Sequence, residues 1–297
     1  MTSYHFSVKN YFSLTLTSDQ YFAFTEADLL LLRAYIPGIE RCDAPLPSAD
    51  IVIEHCESSD KSLTQGEGVV HIHDTWDGAF PASMNHVLYG VARLHFLKHK
   101  LYPVHGACVG NEDGAVLIVG HSGSGKTSLL LHLVQHHGKK VFSGNKTTVS
   151  LDGETMLAVA GTPTITIRGS DRHHLDNLNV AEHVERWGRY AFLLDAEKYL
   201  SAPAVPIKAV AIVRLNDHQE EGKKLEGLSP LHSLYPFFMD AVNADVISGD
   251  GQQVLVGTPP EGTQEHLASN LLRLLPDVPV YSFVGSAGFV AGNIAQL

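Results

Sequence analysis

From residue 1 to about residue 80 the apolar positions alternate or come in short runs. YFSLTL, ADIVIEH and GVVHIH are separated by Pro, Ser, Asp and Gly. A period of two is that of a half-buried strand, so this stretch predicts short strands with one helix, EADLLLLRAYI (26–36), between them. From Ser83 to about Lys98 the period lengthens. Val87, Leu88, Val91, Leu94 and Leu97 fall on one helical face, and Ser83 is a suitable N-cap.

Further along, LYPVHGACV and GAVLIVG are two apolar runs separated by Asn111-Glu112-Asp113, which predicts a hairpin or a pair of sheet strands. Ala115–Val119 is apolar throughout and of strand length. SLLLHLVQHH then presents Leu129, Leu130, Leu133 and Val134 on one helix face and stops at Gly138. Asp152-Gly153 between two strand-like runs signals another hairpin. Lys208–Asp217 reads as a buried strand ending in a carboxylate that could act on a metal or cap the next segment, Gln219–Gly227 as a charged surface loop, and Ser229–Ala244 as an apolar helix. That helix could pack internally or meet a second copy of the chain, so a homo-oligomer is one expected state. The change of period divides the chain into a small β-rich part, residues 1–82, and a larger part, residues 83–297.

Composition narrows the partners. A chain of 297 residues that is 44% hydrophobic can bury a core, and its net charge of −11, without a block of basic residues, argues against nucleic acid held through phosphates. MTSYHFSVKNYFSLTLTSDQ lacks a basic segment followed by an apolar one, and no apolar run approaches 18 residues. The expectation is a cytoplasmic protein with no membrane partner. Cys42, Cys56 and Cys108 are odd in number and scattered, which fits reduced thiols. His71 and His73 alternate on one strand face near Asp74, but two ligands do not make a zinc site.

The strongest chemical signal is Gly120-His121-Ser122-Gly123-Ser124-Gly125-Lys126-Thr127, followed by Ser128, between the apolar strand and the helix. This is G-x-x-x-x-G-K-[ST], in which glycines admit phosphate oxygens to backbone N–H groups and the helix N-terminus adds partial positive charge. Lys126 is expected to reach the β and γ phosphates, and the Thr127 hydroxyl to ligate Mg2+. The expected cofactors are therefore ATP and Mg2+.

The run from Tyr102 to Gly153 resembles the core of the HPr kinase/phosphorylase superfamily, whose nucleotide fold is like that of phosphoenolpyruvate carboxykinase. The resemblance rests on His105-Gly106 before the loop and on Gly120–Thr127. It extends more loosely through Ile167–Asp171, the strand at 206–215 and the helix at 267–275. It implies an α/β P-loop domain with a small β-rich N-terminal subdomain, and transfer of phosphate from a nucleoside triphosphate to a hydroxyl of a protein or peptide serine or of a small molecule. The resemblance breaks at two places. Gly144 and Asn145 stand where the family carries an acidic pair, and Thr166 stands where it carries a Glu before Arg168-Gly169. The family's general base is thus absent. Either His105 takes the proton, or positioning by His105 or Asn145 suffices because phosphoryl transfer depends mainly on alignment and charge neutralisation. The alternative is a nucleotide-binding sensor or partner subunit that has lost catalysis.

Overall fold

In the computed structural model the described residues are all of 1–297 except 46–47, 67, 77, 169–174, 176–177, 187, 244–245, 248–252 and 255–256. The alternating N-terminal segments become β1 (Thr2–Val8), β2 (Phe12–Ser18), β3 (Ile39–Cys42), β4 (Ile51–Glu57), β5 (Ser62–Gln65) and β6 (Val69–Asp74), with α1 (Glu26–Leu32) after β2. They form one sheet in the order β3-β1-β2-β4-β6-β5. Phe6, Leu14, Leu16, Ile53 and Val70 lie on its buried face, as period-two patterning requires.

Helix α1 starts on a capping box in which Thr25 and Asp28 satisfy each other's backbone N–H. It ends at Leu32, short of the expected Ile36. Pro37 disfavours helical geometry at the residue before it, so the chain leaves the helix in tight turns, with Ala34 N–H bonded to Leu31 C=O and Tyr35 N–H to Leu32 C=O. Helix α2 (Ala82–Lys98) buries Met84, Val87, Leu88, Val91 and Phe96 against the first sheet. Its N-cap is Pro81 rather than the expected Ser83, and no side chain caps it.

The rest of the chain runs β7 (Leu101–Val104), β8 (Gly106–Asn111), β9 (Gly114–Val119), α3 (Lys126–His137), β10 (Lys140–Ser143), β11 (Thr147–Ser150), β12 (Leu157–Gly161), β13 (Ile165–Arg168), β14 (Val180–Arg186), β15 (Arg189–Leu194), β16 (Val205–Leu215), β17 (Glu221–Lys224), α4 (Ser229–Asn243), β18 (Val246–Ile247), β19 (Gln253–Val254), α5 (Thr263–Leu274), β20 (Val280–Gly285) and α6 (Ala287–Ile294). The architecture is mixed α/β with several sheets.

Strand β16 organises the second sheet. Its start pairs antiparallel with β12, and its longer remainder lies between β9 and β20, parallel to both. The carboxyl ends of β9, β16 and β20 therefore share one edge, the place where open α/β sheets form ligand crevices. Helices α3 and α6 cover one face through Leu129, Leu133, Val290 and Ile294. Helices α4 and α5 cover the other through Leu234, Phe238, Leu267 and Leu271.

Two segments depart from their expected form in ways that matter. LYPVHGACV is not one strand: β7 pairs with β11, whereas β8 forms the hairpin with β9, and the break falls at His105. The Thr147 hydroxyl donates to Gly106 C=O at 2.8 Å and holds that break, which leaves His105 at the junction of two strands that take different partners in one sheet. Glu221–Lys224, expected within a surface loop, pairs antiparallel with β20 as an edge strand. Its charged side chains are all exposed, so polarity concealed a backbone pairing.

Candidate functional site

The glycine-rich segment joins the carboxyl end of β9 to α3. Gly123 and Gly125 have φ of 79° and 89°, which favour glycine, and a Cβ on Gly125 would lie 2.6 Å from the Leu215 side chain. The loop is tied to the central strand by Leu215 N–H donating to Ser124 C=O at 2.8 Å. Ser124 N–H bonds to His121 C=O, whereas the N–H groups of Gly123, Gly125, Lys126 and Thr127 have no acceptor among the described residues. Helix α3 thus starts with free donors grouped at its positive end. The Ser124 hydroxyl is also buried without a partner among the described residues.

Lys126 is buried, and its Nζ donates to Gly120 C=O at 2.7 Å and to His121 C=O at 3.2 Å. Burial lowers its pKa, the attraction of Asp240 opposes that, and Lys146 lowers it further. Gly120 and His121 do not line the cavity. They serve through their carbonyls, and the His121 ring turns to Phe237 of α4, with centroids 5.2 Å apart.

The segment from Ser122 to Ser128 opens onto a cavity of about 470 Å³. His105, Asn145 and Lys146 line it together with Lys126, so the residues singled out from the sequence converge. The turn 143–146 is held by buried hydroxyls. Ser143 Oγ donates to Lys146 C=O at 2.5 Å, and Thr162 Oγ1 accepts from Asn145 N–H at 3.0 Å and Lys146 N–H at 2.9 Å. Asn145 Nδ2 donates to Ala34 C=O at 2.9 Å, which leaves Oδ1 to take part in the side-chain hydrogen bond with His105. An imidazole N–H donated to Oδ1 would leave the other ring nitrogen as acceptor.

The acid-free turn has a steric cause at Gly144. A Cβ there would stand 2.7 Å from Ile165 Cγ1, inside any normal contact. Gly144→Asp should accordingly destabilise the protein by about 1–3 kcal/mol, measured by denaturant unfolding. An unchanged midpoint would mean that Ile165 yields freely.

Cations line the rest of the cavity. Lys146 Nζ sits 3.9 Å from the Tyr89 ring centroid. Arg168, Arg189 and His86 complete the wall beside Ala34 and Tyr35, and no carboxylate lines the cavity among the described residues. His86, Arg189 and Tyr35 carried no sequence signal. His86 lies on a regular helix and Arg189 follows a turn glycine, and only the fold brings them to the loop.

His105 feels this field. Burial, then Lys146 and Lys126, push its pKa down to about 3, with the Asn145 hydrogen bond opposing. His95, outside the site, is lowered to about 4, mainly by burial. Below the ordinary value near 6.5 the unfolded chain binds protons that the folded chain refuses, so stability falls as pH drops from 6.5 toward 4. For His105 the slope is about 1.4 kcal/mol per pH unit. Thermal unfolding from pH 7 to 5 should show a falling Tm, with a shallower fall in His105→Gln. A flat or rising Tm would contradict the neutral, buried imidazole.

Other candidates lie apart. Asp217 is exposed, two residues beyond β16, and does not line the cavity. His71 Nδ1 pairs with Glu54 at 3.0 Å on the first sheet. Gly169, Ser170 and Asp171 lie outside the described residues. No group of three or more His, Cys, Asp or Glu that could hold a metal occurs among the described residues. Magnesium favours carboxylates together with phosphates, and among the described residues the cavity offers no carboxylate to a resident ion. The Thr127 hydroxyl is the ligand it offers to one carried on a nucleotide.

Among the described residues no helix is long and apolar enough to cross a membrane. No protein-family model matches the chain, and neither does any curated protein. Among solved structures the chain is similar to the HPr(Ser) kinase/phosphatase from Coxiella burnetii, at 12% identity and a TM-score of 0.28, over 65% of this chain and 91% of that one.

Proposed function

We propose that the chain is an ATP-dependent kinase that transfers the γ-phosphoryl group to a hydroxyl. The observation that carries this reading is the glycine-rich loop, whose free N–H groups and buried lysine face a cavity lined by cations and by a neutral histidine. In this reading residues 83–297 form a P-loop, kinase-like unit. Residues 1–82 form a smaller β-rich part that contributes Ala34 and Tyr35 to the wall.

The nucleotide's phosphates take the free N–H groups of Gly123, Gly125, Lys126 and Thr127, and Lys126 exchanges the loop carbonyls for phosphate oxygens. The acceptor hydroxyl oxygen attacks the γ-phosphorus, the bond from that phosphorus to the β–γ bridging oxygen breaks, and ADP leaves with the electron pair. The hydroxyl proton passes to the ring nitrogen of His105 that Asn145 leaves free. A pKa of about 3 makes the imidazole a weak base in the empty cavity, but phosphate charge beside Lys126 and Lys146 counters two of its three depressing causes. A loose transition state asks for little basicity and much positive charge, and Lys126 and Lys146 supply that charge.

Incubation with γ-labelled ATP and candidate hydroxyl acceptors tests the reading: label should move to an acceptor in wild type and not in Lys126→Ala. Nucleotide binding without transfer to any acceptor and without hydrolysis would favour the sensor, a reading that the absence of a described carboxylate in the cavity keeps in play.

A further inference from the structure

Strands β13, β15 and β14 lie side by side in that order. Across them Arg168 is paired with Arg189, and Arg189 with Arg186, so three guanidinium groups occupy one cross-strand row. Like charges directly opposite each other destabilise a sheet, and such a row calls for counter-charge. Arg186 has it: it forms an ion pair with the buried carboxylate of Asp28 and donates to Phe80 C=O. Arg168 and Arg189 have no acidic partner among the described residues, and both line the cavity.

The field reaches further. His86 is lowered by burial and then by Lys146 and Arg189, so the charges of a turn and of a strand meet at this ring. The chain as a whole carries −11, yet among the described residues the charged groups on this wall are all cationic. The glycine loop already has free N–H groups and Lys126 for nucleotide phosphates. The arginine wall is therefore surplus to the nucleotide.

We propose that Arg168 and Arg189, with Lys146 and His86, form a second anion site, and that the phosphate acceptor is a molecule carrying its own phosphate or carboxylate group beside the hydroxyl. This deepens the kinase reading and rests on it. Arginine forks suit such groups bidentately, and the two arginines line the same cavity as the loop's lysine, so an acceptor held by them shares that space with the nucleotide's phosphates.

The test uses the full chain saturated with the non-hydrolysable analogue AMP-PNP, titrated with inorganic phosphate in one arm and with succinate in the other. At least one of the two should bind one-to-one on top of the nucleotide, and the arm that binds more tightly identifies the anchor as phosphate or carboxylate. Arg168→Gln and Arg189→Gln should each weaken that binding about tenfold or more while leaving AMP-PNP affinity within about twofold. Absence of binding in both arms, displacement of AMP-PNP by the anion, or unchanged anion affinity in Arg189→Gln would overturn the proposal.

Removing one member of a like-charge row should leave the Tm of the anion-free protein unchanged or higher. A lower Tm in Arg189→Gln would show a structural partner for that guanidinium and would also overturn it. Should AMP-PNP itself fail to bind wild type, the kinase reading falls. The same titration of free protein then decides the anion site separately: binding that depends on Arg189 supports it, and its absence removes it.

Discussion

Lys126→Met should lower phosphoryl transfer about a thousandfold or more, and Lys126→Ala should in addition weaken nucleotide binding, while the protein stays folded. The magnitude is that of removing one preorganised charge from a developing transition state in a water-poor site. Lys126 is buried and hydrogen-bonded to the carbonyls of Gly120 and His121, so the effect has two sources that the pair of variants separates. Methionine keeps the packing of the stem and deletes the charge, whereas alanine also opens space beneath the loop. Equilibrium binding of a fluorescent ATP analogue, single-turnover transfer and thermal unfolding on the same preparations distinguish charge from packing. Unchanged affinity and unchanged transfer in both variants would remove the loop from the function altogether.

The second large effect concerns His105. His105→Ala should cost about a hundredfold in kcat with nucleotide affinity near wild type, the scale of a lost proton acceptor. Because burial, Lys146 and Lys126 hold its pKa down to about 3, kcat should be flat between about pH 6 and 8, with an acid limb well below 6.5. Asn145 acts through His105, and its variants should show it in the profile rather than only in the rate. Asn145→Asp places a carboxylate against the imidazole, raises its pKa and should move the acid limb toward neutrality. Asn145→Ala should lower kcat about tenfold by freeing the ring's tautomer and orientation. An acid limb at the same pH in wild type and Asn145→Asp would sever the link between the two residues. Full activity in His105→Ala would leave the proton without an acceptor on this chain and make alignment alone the mechanism.

What the sequence determined by itself is local. The glycines, Lys126 and Thr127 between an apolar run and a helical face specify a strand, a phosphate-sized turn and a helix, because φ preference, helix-end charge and hydrophobic period act over a few residues. Period two before residue 80 and period 3.6 from about 83 to 98 were likewise legible, and β1–β6 and α2 fall there. The ends of elements were less so. Helix α1 stops early because of a proline beyond the apolar run, and β17 pairs its backbone although its side chains are all solvated.

Tertiary structure decided the chemistry of the cavity. That His105 sits at a break between two strands follows from β7 and β8 choosing different partners, a choice between distant strands that no local pattern encodes. That a side chain at residue 144 would crowd Ile165 is set by the fold, and so is the hold of Ala34 on Asn145, more than a hundred residues away in sequence. The row of arginines exists only in the register of β13, β15 and β14. Electrostatic fields add over space rather than along the chain, so a protein of net charge −11 folds to present a cavity without a described carboxylate, and its composition pointed the other way.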